Sequence, residues 1–173
     1  RVQVEQGAID ALARNQGLLQ ADGGSVVMTA RGANALLATV VNNKGTVRAH
    51  TLHERSGRIL LLGDMDTGAV QVAGTLDASA PQGGNGGFIE TSAAQVNVAP
   101  QARVTTAAPQ GRAGTWRIAP FDFTISATGG NMTGAQLASS LEAGNVTILN
   151  TSGTTGTAGN VNVNEAVGWS AAT

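Results

Sequence analysis

The sequence predicts an all-β chain wound as a right-handed parallel β-helix (β-solenoid), with about three strands per coil and ~28–30 residues per coil. Three observations predict it: short segments recur at that interval, each alternates apolar with polar residues, and a glycine opens nearly every one.

The first row of segments is Gly17-Leu-Leu-Gln-Ala21, Gly45-Thr-Val-Arg-Ala49, Gly74-Thr-Leu-Asp-Ala78 and Ala102-Arg-Val-Thr-Thr106, with starts 28, 29 and 28 residues apart. Leu19, Val47, Leu76 and Val104 hold the third position, and a small residue follows two places later. Between them stand Gln20, Arg48, Asp77 and Thr105. Apolar and polar residues that alternate with period two make a strand with one buried face. Arg48 and Asp77 then lie side by side on the outside, a pair worth about 0–1 kcal/mol because it is exposed.

The second row is Gly24-Ser-Val-Val-Met28, Gly57-Arg-Ile-Leu-Leu61, Gly87-Phe-Ile-Glu-Thr91 and Gly114-Thr-Trp-Arg-Ile118, continued by Gly144-Asn-Val-Thr-Ile148. Val26, Ile59, Ile89 and Trp116 point inward, as do Met28, Leu61, Thr91 and Ile118. Val27 and Leu60 are apolar where an outward residue belongs, so either a further element covers them or the register shifts there. A third row holds Val70-Gln-Val72 and Val96-Asn-Val98, with Val40 and Ile125 in the same role.

Three strands in constant order describe a triangular coil. One coil has nothing to bury its apolar residues against, whereas coils stacked at ~4.8 Å form continuous inward ladders. About six coils fit, a rod of roughly 30 Å. Right-handed winding follows from the handedness of parallel crossovers. The glycines are assigned to corners where φ > 0 is needed. Asn42-Asn43 and Gly83-Gly-Asn-Gly-Gly87 read as corners or protruding loops. Helical spacing is confined to residues 7–14 and 134–143.

Composition agrees with this and narrows the function. Of 173 residues 24 are glycine, 12% are charged and 3% aromatic, a balance suited to short strands and tight turns. The net charge of −1 is spread along the chain without a basic patch, which argues against a nucleic-acid partner. No run approaches the roughly 18 apolar residues of a membrane span. Cysteine is absent, so disulfides and thiolate metal sites are impossible. The chain starts at Arg1 and reads as a single segment, 1–173, of a longer exoprotein.

Particular stretches carry a resemblance. Gly23-Gly-Ser-Val-Val-Met-Thr-Ala30 and Val40-Val-Asn-Asn-Lys-Gly-Thr-Val-Arg-Ala49 resemble the closing repeats of the secretion domain of filamentous-haemagglutinin-like exoproteins. Gly74-Thr-Leu-Asp-Ala-Ser79 and Gly86-Gly-Phe-Ile-Glu-Thr-Ser92 look like the segment that follows there and in high-molecular-weight adhesins. Gly114-Thr-Trp-Arg-Ile118, Gly144-Asn-Val-Thr-Ile148 and Val167-Gly-Trp-Ser170 fit the same pattern. The resemblance implies export by two-partner secretion through an outer-membrane transporter. It also implies a Gram-negative cell surface and attachment to a host or bacterial surface glycan or protein receptor. The family's Asn-Pro-Asn-Gly secretion motif is absent, which places this segment after the part that the transporter reads.

Candidate sites are few, and no catalytic, metal or cofactor site is assigned. Asp66-Thr-Gly68 has the form of an aspartic-protease motif, but that chemistry needs two carboxylates sharing a proton, and there is no second copy. His50 and His53 are the only histidines, too few for a zinc site. With Glu54 and Arg55 they form the most charged loop, a candidate contact surface. Gly83-Gly-Asn-Gly-Gly87 lacks the aspartate and tandem repetition of calcium-binding β-rolls. Asn131, Asn145 and Asn150 stand in glycosylation sequons, and Asn145, opening a strand, is predicted to be less accessible than Asn131.

The leading function is a structural and adhesive rod, with contacts at 50–56, 79–87 and 128–140. The alternative is a polysaccharide-binding or polysaccharide-cleaving β-helix, although cleavage needs paired carboxylates that the outward row lacks. Ice binding would need flat outward ranks of threonine, also missing.

Overall fold

A computed structural model describes residues 2–7, 12–31, 39–150 and 159–170. The first coil is β1 (Val2–Gly7), β2 (Leu12–Asn15) and β3 (Leu18–Gln20), and the second is β4 (Ser25–Arg31), β5 (Val40–Asn43) and β6 (Thr46–Arg48). The third is β7 (Arg58–Leu62), β8 (Ala69–Val72) and β9 (Thr75–Asp77), and the fourth is β10 (Phe88–Ser92), β11 (Gln95–Val98) and β12 (Arg103–Thr105). Then come β13 (Thr115–Ala119), β14 (Phe123–Ile125), α1 (Gly134–Glu142), β15 (Asn145–Ile148) and β16 (Val161–Val163). The molecule is a parallel β-solenoid.

Each strand hydrogen-bonds to its counterpart one coil away. The first face is a six-stranded parallel sheet, β1-β4-β7-β10-β13-β15, and the other two faces carry four strands each, β2-β5-β8-β11 and β3-β6-β9-β12. Among the described residues four coils are therefore complete, where about six were predicted, and only the first face reaches six rungs. On the fifth coil β14 keeps Phe123 and Ile125 in the core but pairs with β16 and not with β11, and α1 takes the place of a third strand. The helix is capped by Thr133, whose side chain accepts from Gln136 N, and it lays Leu137 and Leu141 on the core. Its residues match the helical spacing read at 134–143. The other helical spacing, at 7–14, spans the end of β1 and the start of β2, and its residues 8–11 lie outside the described ones.

The first two rows hold residue for residue. Leu19, Val47, Leu76 and Val104 are register partners, and so are Val26, Ile59, Ile89, Trp116 and Val146. Ile59, Ile89 and Leu76 are wholly buried. Val27 and Leu60 are register partners as well, half-buried on the outer side, so the register does not shift there.

The third row was offset by one at its second-coil member. Val41, not Val40, pairs with Val70 and is buried, and Asn43 rather than a valine pairs with Val72. Asn43 is thus a core residue and not a corner. Its Oδ1 accepts from Asn15 Nδ2 at 2.9 Å and its own Nδ2 donates to Thr75 O at 3.2 Å, so the buried amides are paired across coils.

Gly23, Gly83 and Gly84 take the positive φ predicted for corners, but Gly45 and Gly87 have a different reason. Gly45 and Gly87 have ordinary negative φ. A Cβ on Gly45 would stand 2.2 Å from Gly17 O, and one on Gly87 2.2 Å from Gly57 O. Glycine is required there because stacked corners touch backbone to backbone.

Candidate functional site

The connection from the third face to the first is tight in the first coil (21–24) and protrudes in the next three, at 49–57, 78–87 and 106–114. In the second coil Leu52 and Arg55 bridge to each other, which forces His53 to a left-handed φ of 54° at the tip. His53, Glu54 and Arg55 are exposed there. In the third coil Gly83 and Gly84 take φ of 111° and 85°. A Cβ on Gly84 would meet His53 O at 2.9 Å, so the missing side chain lets the two turns stack.

Asn85 ties the three turns together. Its carbonyl accepts from Thr51 Oγ1 at 2.7 Å, and its Oδ1 accepts from Arg112 N at 3.0 Å. The stacked turns leave a groove of about 230 Å³ lined by His53, Glu54, Ser56, Asn85 and Gln110. Among the described residues, the side chains of His53, Glu54, Ser56 and Gln110 make no hydrogen bond to protein. Polar groups left over on a concave surface are what a polar ligand would use.

His50 does not belong to this exposed loop. It is half-buried, with Nε2 2.9 Å from Asp77 Oδ2 in the next coil. The two histidines therefore do different things, and among the described residues no group of three His, Asp or Glu converges as a metal site would require. Burial works against a charge on Asp77, but hydrogen bonds from Ser79 and His50 outweigh it and hold the carboxyl below its ordinary 3.8. Arg48 is the register partner of Asp77, as read from the sequence, yet its guanidinium turns to Asp22 at 3.1 Å. Burial likewise opposes ionisation of Asp22, and hydrogen bonds from His50 N, Arg48 and Gln20 lower its pKa nonetheless.

Asp66 is exposed in a turn organised by Asp64, whose Oδ1 accepts from the backbone N–H groups of Asp66 and Thr67 at 2.9 Å each. The sequons reverse their predicted order. Asn131 is half-buried and structural: its Oδ1 accepts from Thr124 N and its Nδ2 donates to Val96 O and Asn97 Oδ1. Asn145 is exposed, although its Nδ2 rests on Ala113 O and Gly114 O. Asn150 is exposed and donates to Gly159 O, while its sequon partners lie outside the described residues.

Of the three predicted contact regions, 50–56 and 79–87 come together at the groove, apart from His50. The third, 128–140, is largely not a protruding loop: Met132, Gln136, Leu137 and Ser140 are buried beneath it. Gln110 was missed. The signal was Gly84 and Gly111, 27 residues apart, which align the turn 106–114 with 78–87.

No protein-family model, curated protein or solved structure matches the chain. Fold and groove together define the class: a parallel β-solenoid with a polar site built on one corner.

Proposed function

We propose that this chain is a structural and adhesive rod segment of a large exported surface protein of the filamentous-haemagglutinin-like kind, working by contact and not by catalysis. The observation that carries the reading is the pairing of filled inward ladders with a long polar outer row on the third face. On the third face the outward positions read Gln20, Arg48, Asp77 and Thr105 in successive rungs, a mixed surface without an acidic pair. Such a stack extends by repetition, stands away from its base and offers broad contact area. In this reading an outer-membrane two-partner transporter exports the protein, and a glycan or protein on a host or bacterial cell is its receptor.

The test is adherence of the purified chain to host and bacterial cells, beside a variant in which 52–56 and 81–85 are replaced by short turns. Saturable adherence that weakens in the variant supports the reading. Absence of adherence to every cell type would reduce the segment to a spacer. A polysaccharide-binding β-helix is the second reading, favoured by the corner groove.

A further inference from the structure

The groove at His53 does not end there. Ser56 lines both it and a second depression of about 520 Å³, bounded by Arg58, Phe88 and Thr115. Ala113 lines that second depression and a third of about 420 Å³, bounded by Pro109, Leu141, Asn145 and Trp169. They form one furrow: the first two lie side by side across the same three stacked corners, 49–57, 78–87 and 106–114, and the third carries it on to the start of β15.

Its chemistry changes from part to part. The first part offers the uncommitted side chains of His53, Ser56 and Gln110. In the middle Arg58 lies over the Phe88 ring, 5.5 Å from its centroid. At the far end Trp169 is 52% exposed, a large aromatic surface left open to water beside an apolar wall. Charge is sparse and slightly negative: Glu54 and Glu142 stand against Arg58, and among the described residues no cluster of cations lines the furrow.

We propose that this furrow is a binding groove for a linear, uncharged glycan. Sugar rings carry an apolar face that stacks on aromatics and a rim of hydroxyls that pairs with amides, carboxylates and imidazoles. The furrow supplies both kinds of partner side by side. Coils rise by ~4.8 Å, close to the advance of one pyranose in an extended chain, so successive coils can meet successive sugars. An anionic glycan would want basic residues that the furrow lacks. An extended peptide would want an open strand edge, whereas the furrow follows a corner. The proposal deepens the adhesive reading and rests on it for its biological setting.

The experiment titrates the purified chain with cellohexaose, chitohexaose and a broader array of uncharged linear glycans, using a heparin hexasaccharide and casein peptides as comparators. Only two tryptophans are present, and Trp116 is buried, so a change in emission reports on Trp169. Saturable binding of an uncharged glycan with a shift in emission is expected. Followed by titration calorimetry, binding should weaken about tenfold in Trp169→Ala, and again in Ala113→Arg, which obstructs the furrow from an exposed position. Unchanged thermal unfolding of both variants shows that the fold is retained. Binding only to heparin or peptides, no binding to any uncharged glycan, or glycan binding indifferent to both variants would overturn the proposal. Adherence to cells that survives both variants would do so too while leaving the adhesive reading intact. Glycan binding without adherence to cells would keep the groove and sink that reading.

Discussion

Gly17 and Gly45 occupy the same place in successive coils, but only one of them is sterically fixed. A Cβ at Gly17 meets nothing within 4 Å, whereas one at Gly45 collides with the Gly17 carbonyl at 2.2 Å. Gly45→Ala is therefore expected to destabilise the fold by about 1–3 kcal/mol, and Gly17→Ala by less than about 0.5 kcal/mol. Urea unfolding of the two variants checks the contrast, and equal losses would refute the close-approach explanation. Asp77 adds a pH dependence of defined sign. Its folded-state pKa is lowered from 3.8, so its contribution is present above that value and disappears as pH falls through the lower folded-state one. Unfolding followed from pH 5 down to pH 2 should show a loss of stability in the wild type that is shallower in Asp77→Asn. Sequence periodicity revealed which residues point inward here, but not the role of the glycines, because the contact that excludes Cβ comes from another coil.

Between elements, one hydrogen bond shows why a polar residue sits in an apolar ladder. The inward positions of β4, β7 and β13 hold Met28, Leu61 and Ile118, while β10 holds Thr91. Thr91 Oγ1 accepts from Trp116 Nε1 at 3.1 Å inside the core. Thr91→Val should cost about 1–3 kcal/mol by orphaning the indole N–H. Adding Trp116→Phe should cost less on that background than on the wild type, and additive losses would show that the bond is unimportant. The helix has a similar dependence. Gly134 N donates to Glu165 Oε2 at 2.7 Å, so a carboxylate sits at the positive end of α1. These elements differ in legibility for a physical reason. The first two rows were readable because a glycine, an aliphatic at position three and a small residue recur together. The third row misled at Val40-Val-Asn-Asn43, where two adjacent valines blur the phase and buried asparagines imitate a turn. The pairing of Asn15 with Asn43 that allows their burial spans 28 residues and leaves no local mark.

At the scale of the whole molecule, function follows from what stacking leaves outside. The inward ladders are nearly continuous, and within the four coils the longest described connections stand at the corner between the third and first faces. The site was half legible: the loops at 50–56 and 79–87 stood out because they break the repeat. Gln110 and Trp169 were hidden, since a furrow made by stacking has no signature within any one segment. Everything proposed for this molecule depends on successive coils, with register partners 24 to 33 residues apart, lying directly on one another. Thr46, Thr75 and Arg103 are register partners in three consecutive coils of the third face. Neighbouring strands ~4.8 Å apart suit the Cα separation of a disulfide, and strands two coils apart do not. The chain has no cysteine of its own, so cysteines introduced in pairs report cleanly. Oxidation of the dilute monomer should close Thr46→Cys with Thr75→Cys, and Thr75→Cys with Arg103→Cys, but leave Thr46→Cys with Arg103→Cys open. Closure of the third pair, or failure of the first two in a folded protein, would contradict the stacking and with it the groove.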